Sequence, residues 1–299
     1  MLYEHTCSRV YNRPLLLHPE KLEEICQVID RRRAGLKLDA ASLAELRAAN
    51  ESRRKVQVQR SVAVLPILGT LAMRAGPLEE SSGMMSTQQI GRELERLAAD
   101  ESVGAILLDI DSPGGEVFGV EELAAKIRAV GQQKPVVAIA NPWAASAAYW
   151  LASAAGELVA TPSGMVGSVG VYMAHVDQSA WNEQIGMKVT YIHAGEHKVE
   201  TNPDQPLAPE TLAHLQSEVD KWYGKFVAAV AQGRNTTAAD VKTNYGQGRM
   251  LQAKDAKTAG MIDRIETIEE TVARLAGGAK PKRSSSKTCR ERLKIDALR

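Results

Sequence analysis

The run Val103-Gly-Ala-Ile-Leu-Leu-Asp-Ile110 constrains this chain more than any other segment. Its apolar content is nearly continuous, which suits a strand buried on both faces rather than one half in water. Strands of that kind belong to parallel sheets with helices on each side. The pattern recurs in Val62-Ala-Val-Leu-Pro-Ile-Leu68, closed by Gly69, and in Pro135-Val-Val-Ala-Ile-Ala140. Helical stretches separate these runs. Ser86-Thr-Gln-Gln89 is a capping-box pattern that opens a helix to about Ala99. Asp111-Ser-Pro-Gly-Gly115 turns the chain into a second helix, from Val117 to about Val130.

The alternation continues. A helix is expected over 143–155, a strand over Glu157-Leu-Val-Ala160, and another strand after Gly167-Ser-Val-Gly-Val171. A short helix from Asp177 to Gly186, a strand over Lys188-Val-Thr-Tyr-Ile192 and a long amphipathic helix over 207–232 follow. Residues 248–263 read as a helix closed by Gly260 and then a short strand. Strands and helices in this order predict an α/β fold with a largely parallel sheet and flanking helices.

Residues 1–55 read as a helical N-terminal leader ahead of a main domain over 56–276. Pro19 opens one leader helix, with Leu22, Ile25, Cys26 and Ile29 on its apolar side, and Asp39 caps a second. Residues 277–299 read as a disordered basic tail, with Ser284-Ser-Ser286 in a basic setting.

Composition excludes several classes. A net charge of +1 gives no global attraction to nucleic acid or membrane. Positive charge gathers most in the tail, where contact with nucleic acid is a weaker reading than a solvated segment. Three cysteines, Cys7, Cys26 and Cys289, give no disulfide framework and no zinc spacing. No signal peptide opens the chain, and no stretch of about 18 apolar residues could span a membrane. There is no phosphate-binding loop, so neither metal nor cofactor is expected.

The chemistry-bearing candidates are weak one by one. Ser146, in Asn141-Pro-Trp-Ala-Ala-Ser-Ala-Ala-Tyr-Trp150, is placed about three residues into a helix that follows a buried strand. A helix N-terminus there favours developing negative charge. The flanking alanines read equally well as a tightly packed buried helix. Ser153, on the same helix face, is a rival nucleophile. Gly114 and Gly115 let backbone N–H groups approach a ligand, as an oxyanion hole requires, yet also suit a plain turn. Lys198, in a polar loop, would be a general base only in its neutral form. A Ser–His–Asp triad, drawing on the histidines with Asp177 or Asp204, stays open at this point.

In order along the chain, these segments resemble the signal peptide peptidase A type of serine–lysine peptidases, including its phage branch of head maturation (capsid assembly) proteases. The matching stretches are Asp111-Ser-Pro-Gly-Gly115, Ser146-Ala-Ala-Tyr-Trp-Leu-Ala152 and Ala160-Thr-Pro-Ser-Gly-Met-Val-Gly-Ser-Val-Gly-Val171. Gly195-Glu-His-Lys-Val-Glu-Thr-Asn-Pro203, Gly248-Arg249 and Gly260-Met-Ile-Asp263 complete the set. Together they cover about residues 60–270.

The resemblance implies a Clp protease/crotonase-like fold and a ring-shaped homo-oligomer. It implies Ser146 as nucleophile, Lys198 as general base, and an oxyanion hole from Gly115 and Ala147 with Gly114 supporting the turn. With one catalytic repeat, serine and lysine are expected to meet across a protomer interface. Tyr11-Asn-Arg-Pro-Leu-Leu-Leu-His-Pro19 is similar to the leader of phage members. The expected function is therefore a serine endopeptidase acting on capsid, scaffold or portal proteins in a phage procapsid in the host cytoplasm. The alternatives are a cytoplasmic enzyme degrading short peptides and a catalytically silent assembly ring. Phage members often continue into a scaffolding segment, whereas this sequence stops at Arg299.

Overall fold

The computed structural model describes residues 11–33, 40–76 and 83–282. Its centre is an eight-stranded sheet. Strands β3 (Val62–Leu68), β6 (Ala105–Ser112), β8 (Val136–Ala145) and β9 (Glu157–Ala160) run parallel as neighbours. Beyond its pairing with β9, the far end of β8 pairs with β10 (Met165–Gly167), also in parallel. Antiparallel strands finish two edges: β2 (Gln57–Gln59) on β3 and β11 (Met250–Gln252) on β10. The short β12 (Arg264–Ile265) runs parallel to β9.

Alternation of side chains along each strand builds two apolar layers. Ala63, Leu65, Ile106, Leu108 and Ala138 point into the main core. Val62, Val64, Leu107, Val137 and Ile139 point the other way, onto Val272 and Leu275 of helix 268–276. Both faces are covered, which is why the strand runs carry so little polar alternation. The main core is closed by α3 (Thr87–Ala99) and α4 (Val120–Gly131), which follow α1 (Pro19–Arg33) and α2 (Ala40–Arg53) along the chain. Ser86 caps α3 by accepting a hydrogen bond from the Gln89 N–H, as the sequence pattern predicts. Helix α4 begins at Val120 rather than Val117, because Gly119 takes a left-handed conformation (φ 82) ahead of it.

A second, four-stranded sheet stands beside the first in the order β1-β7-β4-β5. It consists of β1 (Leu15–Leu17), β4 (Thr70–Ala72), β5 (Met84–Ser86) and β7 (Gly114–Glu116). Helix α5 (Ala147–Ser153) leaves the end of β8 and is wholly buried. Trp150 on it stacks on Phe226 of α7 (Pro209–Gly233), with centroids 5.1 Å apart, where α6 is the short helix Ser179–Gln184. Tyr149 donates to the Met261 carbonyl at 3.0 Å. Behind α7, Arg234 and Asp263 form a buried two-pronged ion pair at 2.8 and 2.7 Å. Burial penalises the charged guanidinium, but the bonds and charge of Asp263 outweigh it and raise the Arg234 pKa.

Three expectations change. The strand expected after Val171 is reduced to two isolated bridges, Tyr172 with Leu15 and Ala174 with Tyr11. The helix expected over 143–155 is shorter, because residues 143–145 stay extended to pair with β10. No strand forms over Lys188–Ile192; these residues are exposed or half-buried and find no strand edge to pair with. Helix 253–259 does end at Gly260 in the left-handed conformation (φ 83), with β12 following at Arg264–Ile265. The expectations for Asp39 as a cap, for Cys7 and Cys289, and for the tail beyond Lys282 lie outside the described residues.

Candidate active site

The site lies where the carboxyl ends of β6 and β8 turn, the place where open α/β sheets gather ligands. At the end of β6, Ser112 locks the turn: its hydroxyl donates to the Gly69 carbonyl at 2.7 Å and accepts from the Gly114 N–H at 3.2 Å. Both glycines are forced by close approach. Gly114 has φ 96, and a Cβ there would lie 2.1 Å from the Leu16 carbonyl oxygen and 2.9 Å from Ser146 Cβ. A Cβ on Gly115 would lie 1.8 Å from the Leu71 carbonyl oxygen. Two carboxyls stand just before the turn. Burial pushes both the Asp109 and Asp111 carboxyls up; Asn141, bonded to Asp109 at 3.1 Å, and the charge of Arg53 near Asp111 act against it.

Ser146 sits at the junction between β8 and α5, as the residue before the first helical turn rather than three residues inside it. Its backbone is at φ 53, ψ −117, outside the helical region. A non-glycine residue there costs about 1–3 kcal/mol and persists only where the surroundings over-determine it. Here they do: the Ser146 N–H donates to the Gly167 carbonyl at 2.8 Å, and its carbonyl accepts from the Trp150 N–H at 3.0 Å. The residue is 1% exposed, and Oγ makes no hydrogen bond among the described residues. A buried, unpaired hydroxyl costs about 1–3 kcal/mol more. It stands beside the first turn of α5, whose leading N–H groups, starting with Ala147, have no partner within the helix. A strained serine at a strand-to-helix corner, next to such donors, is the arrangement a nucleophile needs when a carbonyl arrives.

The other candidates fare differently. Ser153 is spent on packing, since its hydroxyl donates to the Trp150 carbonyl at 2.7 Å in the helix itself. No histidine bonds Ser146 among the described residues. His175 pairs with Asn12 at 3.0 Å, His193 with the Gly195 carbonyl at 3.1 Å, and His197 with Glu200 at 2.8 Å. Asp177 bonds the Ser179 N–H, and Asp204 accepts from Gln178, Asn182 and Tyr191. No Ser–His–Asp relay exists among the described residues. Lys198 lies in an exposed turn, its N–H donating to the Gly195 carbonyl at 3.1 Å. Within one chain, its side chain and Ser146 make no hydrogen bond among the described residues.

Sequence reasoning missed two contributors, the Gly167 carbonyl and the Ser112 hydroxyl: both residues lie in the quoted motifs, but nothing in those motifs tells that one group holds the serine corner and the other the glycine turn. The backbone at Leu16 lies against the glycine turn without being part of it. Among the described residues, no group of three or more His, Cys, Asp or Glu side chains could hold a metal ion. No described helix is long and apolar enough to cross a membrane.

Residues 128–282 match peptidase family S49. The chain is 32% identical over 310 residues to the capsid assembly protease C of Escherichia phage lambda, covering 95% of this chain and 70% of that protein. It is 30% identical over 287 residues to the head-tail preconnector protein GP5 of Enterobacteria phage P21, covering 91% of this chain and 57% of that one. Protease 4 of Salmonella typhi is 30% identical over 215 residues, which is 68% of this chain and 33% of that protein. The chain thus spans little more than half the length of the P21 relative. With the family matched over more than half of the chain, its α/β architecture is the Clp protease/crotonase-like fold of these enzymes, and the chain is a member of peptidase family S49.

Proposed function

We propose that the chain is a serine endopeptidase working through a Ser146–Lys198 pair, and that its substrates are capsid, scaffold or portal proteins of a phage procapsid. The observation that carries the peptidase reading is the buried, strained and unpartnered Ser146 hydroxyl beside Gly114. The names of the lambda and P21 relatives support the substrate class. In this reading residues 1–55 are a leader, 56–276 the peptidase domain and 277–299 a tail, and the setting is the host cytoplasm.

The chemistry is acyl transfer. Neutral Lys198 takes the Ser146 proton as Oγ attacks the scissile carbonyl. The amides of Gly115 and Ala147 hold the oxyanion, with Gly114 shaping the turn. The tetrahedral intermediate collapses as the C–N bond breaks, and protonated Lys198 gives its proton to the leaving amine. Water, deprotonated by the same lysine, then releases the acyl group and regenerates Ser146.

Lys198 comes from a neighbouring copy in a homo-oligomeric ring. The exposed turn that holds it supports this, as do the exposed apolar side chains nearby in sequence: Val176, Trp181, Ile185, Met187 and Ile192, the last 98% exposed. Apolar surface of that kind favours burial against a partner. Mixing Ser146→Ala with Lys198→Ala subunits tests the arrangement. Each alone is inactive, and mixed rings recover activity. Absence of recovery despite confirmed subunit exchange places both groups in one chain and overturns the shared site.

A further inference from the structure

The leader strand lies where a substrate would have to lie. A scissile carbonyl must sit between Ser146 Oγ and the oxyanion donors, so a bound peptide has to run past Gly114 and Gly115. That path is filled. β1 pairs antiparallel with β7, Leu15 opposite Glu116, Leu16 opposite Gly115 and Leu17 opposite Gly114. The ladder continues as the His18 N–H donates to the Pro113 carbonyl at 2.8 Å.

The leader's other edge is held as well. The Leu15 N–H donates to the Tyr172 carbonyl at 2.8 Å, and the Tyr172 N–H returns a bond to the Leu15 carbonyl at 3.2 Å. The Asn12 N–H reaches the Ala174 carbonyl at 2.9 Å. An extended segment gripped on both edges by main chain, with its side chains buried, is how proteins bind unfolded peptide by strand addition. Leu15, Leu16 and Leu17 are all buried.

The leader also lies against Ser146 and against the loop that carries this chain's own Lys198, the one offered to a neighbouring copy. The Leu16 carbonyl oxygen and Ser146 Cβ flank one point, the position a Gly114 Cβ would take, at 2.1 and 2.9 Å. The Asn12 side chain donates to the Thr201 carbonyl at 3.0 Å, and Thr201 stands three residues from Lys198.

We infer that the channel between Gly114–Glu116 and Tyr172–Ala174 is the peptide-binding groove, and that residues 11–18 occupy it as an intramolecular pseudosubstrate. This rests on Ser146 being the nucleophile. The leader must withdraw before an extended, leucine-bearing segment of a protein substrate enters. While in place, the leader covers Ser146 and reduces apparent affinity by the fraction of chains whose groove is free.

A reversible lock tests this. Leu15 and Tyr172 exchange both backbone bonds. Such pairs have Cα atoms about 5.5 Å apart, within reach of a disulfide. In a Leu15→Cys/Tyr172→Cys protein, oxidation should cut hydrolysis of a peptide carrying Leu-Leu-Leu by about ten-fold or more, and reductant should restore it. Equal rates in the two redox forms of the same protein overturn the pseudosubstrate. A second variant, Leu16→Asp, weakens the leader's hold and should lower KM for that peptide by about ten-fold with kcat unchanged. An unchanged KM in a folded Leu16→Asp protein also overturns it. A small fluorophosphonate keeps the two proposals apart: failure to label Ser146 in the reduced form and in Leu16→Asp rejects the nucleophile itself. Labelling of Ser146 with peptide hydrolysis indifferent to the lock rejects only the leader's role.

Discussion

The backbone N–H of Ser146 donates to the carbonyl of Gly167 at 2.8 Å, and this bond fixes the corner on which the site depends. It continues the parallel pairing of β8 with β10 up to the serine, so the strand cannot roll into helix earlier. Gly167 itself has φ 133, and a Cβ there would lie 2.6 Å from the Arg249 carbonyl oxygen. The motif Gly167-Ser-Val-Gly170 therefore serves the serine by letting three backbone segments crowd together.

The serine at the entry to α5 and the serine at its end should separate cleanly. Ser146→Ala is expected to reduce peptide hydrolysis by about 10⁶-fold, the scale of loss when a peptidase loses its serine. Ser153→Ala removes only a hydroxyl bonded to its own helix at Trp150. It should keep activity within about two-fold, since a locally paired hydroxyl contributes about 1 kcal/mol to stability and nothing to the reacting atoms. Steady-state hydrolysis of a peptide substrate measures both. Comparable losses in the two variants would refute the assignment.

Gly115→Ala should damage the site more than the fold. Its backbone angle suits alanine, but the new methyl meets the Leu71 carbonyl oxygen at 1.8 Å and must push β7 away from β4. A displaced oxyanion donor costs about 10²–10³ in kcat. The expected result is that loss with far-ultraviolet circular dichroism unchanged. Activity equal to the parent would remove Gly115 from the oxyanion hole.

The buried pair behind α7 should act on stability. Asp263→Asn leaves the Arg234 guanidinium buried without its charge partner, and breaking such a pair costs about 3–5 kcal/mol. Denaturant unfolding should show the midpoint fall with little change in slope. An unchanged midpoint would mean that water reaches Arg234.

Burial raises the Asp109 carboxyl, and the sign of its pH effect follows. Between its ordinary value and the raised one, the folded chain holds more protons than the unfolded chain. Stability from this group is therefore greatest in acid and declines as pH rises through that window. Asp109→Asn removes the ionisation while keeping an acceptor for Asn141. Thermal melts should show the Asp109→Asn variant above the parent at neutral pH, with the gap closing as the pH falls below the ordinary carboxylate range. A gap that widens in acid would contradict burial as the cause.

The sequence alone determined the parallel sheet, because strands covered on both faces must be apolar almost throughout, as Val103–Ile110 is. It also determined the Ser86 cap and the Gly260 stop, since these signals act through neighbours a few residues away. The glycine turn at Gly114–Gly115 was legible as a turn, but not the carbonyls of Leu16 and Leu71 that make the glycines obligatory. Only the tertiary structure moved Ser146 from inside a helix to a strained corner, through a bond to Gly167 from a different strand. Only it paired the Ser153 hydroxyl with its own helix and set Leu15–Leu17 beside Gly114–Glu116. Local pattern encodes period and caps; which backbone lies beside which, and hence which hydroxyl is left unpaired, is set by contacts between distant parts of the chain.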